Sequence, residues 1–143
     1  MATVRRILEL KKKGYWTITP ETTAYEALEI MADKNVGALM VVGENWQLLG
    51  IFTERDYSRK VVLRGRSSKA TAVSELMTPS VYCVSPGDTT ENCMAIMNDK
   101  RVRHLPVIED GKLVGLVSIR DVVNIIIHEK EATIKDLEQY ITS

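Results

Sequence analysis

The sequence predicts an α/β fold built from two tandem copies of one β-α-β-β-α unit. The length of 143 residues suits one compact domain, and short apolar runs alternate along the chain with helical stripes. The chain also repeats itself internally. A three-stranded unit of about 60 residues is marginally stable alone, so the two copies are expected to pack face to face and share one core.

The repeat is seen when the chain is aligned with itself at an offset of 66 residues, which places Thr19-Pro20 on Ser85-Pro86. Identical residues then follow in the same order: Thr23 with Thr89, Met31 with Met97, Lys34 with Lys100, Val36 with Val102, Leu39 with Leu105, and Val41 with Val107. Removing one residue from the turn after Val42 extends the series: Leu48 with Leu113, Gly50 with Gly115, Arg55 with Arg120, and Asp56 with Asp121. This ordered series indicates a duplicated unit.

Each copy opens with a short strand candidate that ends at a proline, at residues 16–18 and 81–84. A helix follows, capped by Thr22 or Thr23 in the first copy and by Asp88 or Thr89 in the second. Its apolar stripe consists of Ala24, Ala27, Leu28, Met31 and Ala32 in the first copy, and of Cys93, Met94 and Met97 in the second.

Two strands come next in each copy, at residues 38–42 and 48–53 and at residues 105–108 and 113–118. A last helix begins near Glu54 and near Arg120. Short helices are predicted at both ends of the chain, the first capped by Thr3 and the second by Thr133. The predicted organisation is one module, 1–143, with repeat 1 at 14–64, a linker at 65–79 that holds a helical turn, repeat 2 at 80–131 and a C-terminal helix at 132–143.

The composition excludes several classes of protein. Formal net charge is zero, so no general attraction to nucleic acid or to an anionic membrane is expected. No apolar run approaches the ~20 residues of a membrane span, and the N-terminus lacks the apolar core of a signal peptide, so a cytoplasmic location is predicted.

Cys83 and Cys93 match neither a CxxC pair nor a zinc framework, and are interpreted as buried apolar residues with a redox role as the alternative. His104 and His128 suggest no metal site.

Three motifs carry a resemblance to a known family. Residues 50–56, GIFTERD, return as GLVSIRD at 115–121; residues 103–107, RHLPV, have a relative at 37–41; and residues 75–79, ELMTP, lead into the second copy. Together they resemble the CBS domain in its tandem form, the CBS pair or Bateman module, over residues 3–130. The resemblance implies a pseudo-twofold axis between the repeats and two clefts that bind adenosine compounds such as AMP, ADP, ATP, NAD or S-adenosylmethionine.

The chemistry suits the repeated Ser/Thr-x-x-Asp motif. The carboxylate can accept two hydrogen bonds from a ribose diol, and the hydroxyl lies near a helix N-terminus that favours phosphate. By the family's geometry, one cleft is expected to combine Thr53, Arg55 and Asp56 with Tyr82, Cys83, Arg103, His104 and Pro106. The other is expected to combine Ser118, Arg120 and Asp121 with Trp16, Thr17, Ile18, Gly37 and Ala38. Repeat 1 departs from the pattern at Met40, where repeat 2 has Pro106.

Each of these residues also has a structural interpretation. The aspartates can be helix-start residues, the arginines solvated and His104 a buried structural histidine. A basic stretch in and near the linker is usually solvated, but could hold a diphosphate; its candidate phosphate contacts are Lys60, Arg64, Arg66 and Ser67. The family commonly dimerises through its helices, and an apolar face at Val122, Val123, Ile126 and Ile127 predicts a homodimer here.

The predicted function is a non-catalytic regulatory module that binds an adenine nucleotide and signals to a separate, unidentified protein. An enzyme is the second hypothesis, but the sequence contains no Walker loop, no GxGxxG, no activated Cys-His pair and no carboxylate cluster for Mg²⁺. A dimeric interaction scaffold with vestigial clefts is the third.

Overall fold

A computed structural model describes residues 2–11, 14–79 and 82–142 of the chain. The elements follow in the order α1 (Val4–Leu10), β1 (Thr17–Ile18), α2 (Ala24–Lys34), β2 (Ala38–Val42), β3 (Leu48–Thr53), α3 (Glu54–Asp56), α4 (Thr90–Lys100), β4 (His104–Glu109), β5 (Lys112–Ser118) and α5 (Ile119–Thr142). A π-helical segment, Tyr57–Val62, continues α3, and a 3-10 turn, Val73–Glu75, lies in the linker. The α/β fold with two similar repeats is therefore confirmed.

The two antiparallel hairpins share one plan, and repeat 1 has a third strand beside its hairpin. In repeat 1, β1 pairs parallel with β2, and β2 pairs antiparallel with β3. In repeat 2, β4 pairs antiparallel with β5, and each hairpin carries an irregularity at the same place, after Val41 and after Val107. The strand predicted at 81–84 is wrong in extent, because among the described residues only Val84 bridges to Val107; Val81 lies outside the described residues.

The first long helix of each repeat begins and ends in the same way. Thr23 and Glu26 form the predicted capping box of α2, and the Thr89 hydroxyl accepts from the backbone N–H of Asn92 at the start of α4. Both helices end on a left-handed residue, Asn35 and Arg101. Local side-chain and backbone contacts therefore determine the boundaries of these helices.

The two repeats pack face to face, as expected, but the expectation of one shared core is wrong. Repeat 1 has its own buried cluster around Phe52 and Leu39, and repeat 2 has another around Leu105 and Val117. A smaller third cluster lies between the two sheets and contains Ala38, Met40, Ile51 and Leu113. Each repeat therefore buries one sheet face against helical segments and the other face against the partner sheet.

The segments that precede the repeats are exchanged between them. The first lead-in, residues 2–11, packs on repeat 2, and its Val4 N–H donates to the Asp88 carbonyl at 2.8 Å. The second lead-in, residues 71–78, packs on repeat 1, where the Val73 N–H donates to the Thr22 carbonyl at 2.8 Å. Because Thr22 and Asp88 occupy equivalent positions, the exchange follows the duplication.

Helices lie at both ends of the described chain, as predicted, but the C-terminal one is not separate. α5 runs unbroken from Ile119 to Thr142, so the predicted break near 131 is wrong. The Thr133 hydroxyl donates to the Glu129 carbonyl within the helix instead of capping a new one. Within the described residues, no helix is both long and apolar enough to cross a membrane.

Candidate functional site

Two cavities lie where the repeats meet, and both open at the ends of strands. The first cleft, about 780 Å³, is lined by Gly37, Ile51, Thr53, Glu54, Arg55, Asp56, Thr78, Tyr82, Arg101, Val102, Arg103 and His104. The second cleft, about 530 Å³, is lined by Lys11, Gly14, Tyr15, Trp16, Asn35, Val36, Gly37, Ala38, Arg103, His104, Leu116, Ser118, Ile119, Arg120 and Asp121. Each cleft therefore combines a Ser/Thr-x-x-Asp motif from one repeat with residues of the other.

The two motifs fold as capping boxes at the starts of α3 and α5. In the first cleft, Asp56 Oδ2 accepts from the Thr53 backbone N–H at 3.0 Å, and the Thr53 hydroxyl accepts from the Asp56 N–H at 3.1 Å. In the second, Asp121 Oδ2 accepts from the Ser118 N–H at 2.8 Å, and the Ser118 hydroxyl accepts from the Asp121 N–H at 3.2 Å. Both aspartates therefore cap the starts of their helices, as their structural interpretation holds.

The capping leaves little of each helix N-terminus for a phosphate. The first N–H of α3, at Glu54, donates to the Gly37 carbonyl at 3.1 Å, and the first N–H of α5, at Ile119, donates to the Arg103 carbonyl at 2.9 Å. The third N–H of each helix is bonded to the capping hydroxyl. Among the described residues, the second backbone N–H group of each helix, that of Arg55 in α3 and that of Arg120 in α5, therefore remains to bind an anion.

A lysine neutralises each aspartate, but the two lysines come from different places. Lys60, one turn along the helix from Asp56, brings its Nζ within 3.1 Å of Asp56 Oδ1. Lys11, at the end of α1, brings its Nζ within 3.0 Å of Asp121 Oδ2. Lys11 lines the second cleft, whereas Lys60 is not in the wall of the first.

Gly37, Arg103 and His104 line both clefts, so the two cavities share a wall at the starts of β2 and β4. Burial lowers the pKa of His104, and the charges of Lys11 and Arg103 lower it further, whereas Asp121 acts in the opposite direction. His104 is therefore a neutral side chain at the junction at pH 7.

Most of the predicted site residues lie in the cleft walls, and the others lie nearby. Cys83 and Pro106 do not line the first cleft, and Thr17 and Ile18 do not line the second. Pro106 pairs with Leu116 inside the repeat 2 hairpin, and Thr17 and Ile18 are in β1, beside β2. Met40 is fully buried between the sheets, so the departure from the family pattern does not reshape a cleft wall.

The candidate phosphate contacts in the basic stretch are also outside both cavities. Lys60 donates to the Leu76 carbonyl at 2.8 Å as well as pairing with Asp56. Arg66 pairs with Glu75 at 3.0 Å, and Arg64 and Ser67 are exposed. These contacts and positions favour the solvated, structural interpretation of this stretch.

Sequence reasoning missed the residues that the exchanged lead-ins and helix ends contribute. These are chiefly Lys11 and Tyr15 in the second cleft, and Glu54, Thr78 and Arg101 in the first. Arg101 could have been found as the residue that follows Lys100 at the predicted end of a helix. No local sequence pattern marks Lys11 as a cleft residue, because it comes from a segment that packs on the repeat more distant in the sequence.

The two cysteines differ, and the expectation that both are buried is wrong for Cys83. Cys93 is fully buried in repeat 2, whereas Cys83 is exposed. Burial, with the charges of Asp88 and Glu91, raises the pKa of Cys93 to about 11, and partial desolvation by neighbouring atoms also raises the pKa of Cys83, although its side chain is in contact with solvent. Both thiols are therefore protonated at neutral pH, which makes them poor nucleophiles. Within residues 2–11, 14–79 and 82–142, no cluster of His, Cys, Asp and Glu could hold a metal ion.

Comparison with known proteins supports this architecture. The family model of the CBS domain matches residues 4–62 and 73–128. The chain is 42% identical over 147 residues to the mitochondrial CBS domain-containing protein CBSX3 of Arabidopsis thaliana, a match that covers 97% of this chain and 71% of that protein. Since that relative is mitochondrial, the cytoplasmic location predicted from the sequence stays a prediction.

Two solved structures give the same fold. A CBS-domain protein from Burkholderia ambifaria MC40-6 superposes with a TM-score of 0.82 at 48% identity, covering 89% of this chain and 95% of that one. CBSX2, solved in complex with AMP, superposes with a TM-score of 0.76 at 29% identity, covering 91% and 99%.

Proposed function

Because the chain belongs to the CBS domain family, as two CBS domains in tandem, we propose that it is a non-catalytic regulatory module that binds an adenine nucleotide between its repeats. AMP, ADP, ATP and NAD are the candidate ligands. The observation that carries the proposal is that each of the two Ser/Thr-x-x-Asp motifs lies in the wall of a cavity formed by both repeats. The AMP complex of CBSX2 supports this class of ligand.

The second cleft offers a suitable place for each part of such a ligand. Asp121 Oδ1 has no hydrogen-bond partner among the described residues, so it can accept from a ribose hydroxyl. Arg120 and Lys11 lie in the same wall and provide positive charge for the phosphate. Trp16, Tyr15 and Ala38 provide apolar surface for the adenine ring.

In the first cleft Asp56 has a contact on each carboxylate oxygen, from Thr53 on Oδ2 and from Lys60 on Oδ1. A ribose hydroxyl must share an oxygen there or displace Lys60. We therefore propose that both clefts bind adenine nucleotides, with the second cleft binding more tightly.

A bound ligand would tie the repeats together, since each cleft wall comes from both. The module would then signal to a separate protein by the difference in ligand affinity between its two conformations.

We also propose a homodimer through α5. Val122 is buried in the repeat 2 core, but Val123, Ile127, Ile134, Leu137 and Ile141 form an exposed apolar stripe along one helix. Light scattering should give twice the mass of one chain. Ile134→Glu combined with Leu137→Glu should give the monomer mass, and a monomeric parent protein would contradict this part of the proposal.

A thermal-shift titration tests the proposed ligand class. AMP, ADP, ATP and NAD are compared with GMP and GTP at matched concentrations. An adenine ligand at 100 times its Kd should stabilise the fold by about 2.7 kcal/mol, a shift of several degrees at this size. The doubly substituted variant Asp56→Asn, Asp121→Asn keeps an oxygen for each cap and should lose the shift.

Two other outcomes would lead to the alternatives. A folded protein that no adenine nucleotide stabilises would indicate a scaffold with vestigial clefts. Turnover of ATP or NAD by the purified protein, lost in the double variant, would indicate an enzyme.

A further inference from the structure

Among the described residues, the second cleft has a lysine in its wall, Lys11, whereas the wall of the first cleft contains none. In repeat 1, the Ile51 carbonyl accepts the backbone N–H of Thr78 at 2.9 Å. In repeat 2, the carbonyl at the equivalent position, Leu116, accepts the ammonium group of Lys11 at 2.8 Å. The exchanged lead-ins thus satisfy the same acceptor by different means, one with backbone and the other with a charged side chain.

The Lys11 ammonium is held in place and still has bonding capacity. Its Nζ contacts the Leu116 carbonyl and, at 3.0 Å, Asp121 Oδ2, and its side chain is 20% exposed. An ammonium group has three N–H donors, so one remains for a ligand in the cavity that Lys11 lines. Because two contacts already restrict the side chain, little conformational entropy is lost when it binds an anion.

The walls of the two clefts also differ in net charge, and the wall of the second cleft is the more positive. Among its described lining residues, the second cleft has Lys11, Arg103 and Arg120 against one carboxylate, Asp121. The first has Arg55, Arg101 and Arg103 against two carboxylates, Glu54 and Asp56. Burial is the main cause of the lowered pKa of His104, and the charge of Lys11 lowers this pKa further.

We propose that Lys11 makes the second cleft selective for phosphorylated adenosine over adenosine itself, by donating to the phosphate while it stays paired with Asp121. This inference rests on the proposed function, since it requires that the cleft bind adenosine compounds. Lys11 is then a specificity-determining residue supplied to the repeat 2 motif by the segment that precedes repeat 1.

Calorimetric titration of the whole chain with AMP and with adenosine tests this assignment. Asp56→Asn serves as the background, so that binding at the second cleft dominates. Adding Lys11→Met should weaken AMP by about tenfold or more, as expected for one charge-assisted hydrogen bond, and should change adenosine affinity by less than about threefold. Lys11→Arg should restore most of the AMP affinity, because the charge is kept.

The matched control is Lys112→Met, which removes the same charge from an exposed position at the start of β5 that is in neither cleft wall. It should leave both affinities unchanged. A general electrostatic effect would weaken AMP equally in both variants, and would overturn the assignment.

Other outcomes distinguish a failure of the inference about Lys11 from a failure of the proposed nucleotide binding. If Lys11→Met weakens AMP and adenosine by the same factor, or leaves AMP unchanged, Lys11 does not select the phosphate and the inference fails alone. If the parent protein binds neither AMP nor adenosine, the proposed function fails and the inference fails with it.

Discussion

The two repeats agree in their backbone and differ in the side chains at their clefts. Equivalent helices are capped by Thr23 and Thr89, and both hairpins carry the same irregularity. Each motif aspartate caps its helix, yet Asp56 is paired from its own helix by Lys60 and Asp121 from a distant segment by Lys11. A duplicated fold can thus keep its hydrogen-bond framework while single charged residues make its two sites unequal.

The lead-ins are where this difference arises. The first lead-in forms a full helix, α1, and carries Lys11 to the cleft wall, whereas the second forms only a 3-10 turn and reaches its cleft with Thr78. Substitutions at equivalent positions of the two repeats can therefore test two points. One is that the backbone frameworks of the repeats are alike, and the other is that their clefts differ.

The largest effect is expected where the lead-ins cross the strands. A Cβ at Gly50 would lie 2.8 Å from the Thr78 backbone oxygen, whereas a Cβ at Gly115 would meet the flexible end of Leu8 at 2.7 Å. Gly50→Ala should therefore cost about 3 kcal/mol in the free energy of unfolding and Gly115→Ala about 1 kcal/mol. Urea denaturation measures both, with Gly87→Ala as the control in open space. Equal costs would contradict the different crossings.

A smaller effect of opposite sign is expected at the start of α4. Thr90 is fully buried, and its hydroxyl has no hydrogen-bond partner among the described residues, whereas the equivalent residue of repeat 1 is Ala24. Thr90→Val keeps the shape and removes the unpaired hydroxyl, so the free energy of unfolding should rise by about 1 kcal/mol. The matching substitution at the capping residue, Thr89→Val, should destabilise the protein by a similar amount. A loss of stability in Thr90→Val would show that the hydroxyl is bonded.

The smallest effect concerns the junction of the clefts. The pKa of His104 is lowered from its ordinary value of 6.5, so the unfolded chain takes up a proton before the folded protein does. The stability contributed by neutral His104 is therefore complete well above pH 6.5 and is lost as the pH falls through 6.5 towards the lower folded pKa. Urea midpoints measured across this range should fall less steeply in His104→Gln. Identical slopes in the two proteins would contradict the lowered pKa.

The fold was accessible to sequence reasoning where signals are local. Apolar stripes and capping threonines located α2 and α4, and the repeated Gly-to-Asp motifs located the strands and helix starts around both clefts. The continuous helix α5 was missed because Thr133 resembles a cap, although its hydroxyl bonds back within the helix. The strand at 81–84 was overpredicted because an apolar run alone does not show whether a partner strand lies alongside.

The unpredicted part of the site has a different cause. Lys11 enters the second cleft, and Thr78 the first, because each lead-in crosses to the other repeat, which no local pattern reveals. The lysine partners of Asp56 and Asp121 likewise depend on tertiary packing, although Lys60 is close to Asp56 in the sequence. The sequence motifs thus located the clefts, and long-range contacts determine their charge.

The most direct test of the account is calorimetric titration of AMP into the parent protein, Asp56→Asn and Asp121→Asn, with circular dichroism to show that each is folded. The parent should bind AMP, and Asp121→Asn should weaken the tighter site by about tenfold, the value of one hydrogen bond to a charged group. Asp56→Asn should leave that site intact. A folded parent that binds no AMP, or variants that both bind as the parent does, would contradict the claim that these aspartates form unequal nucleotide sites.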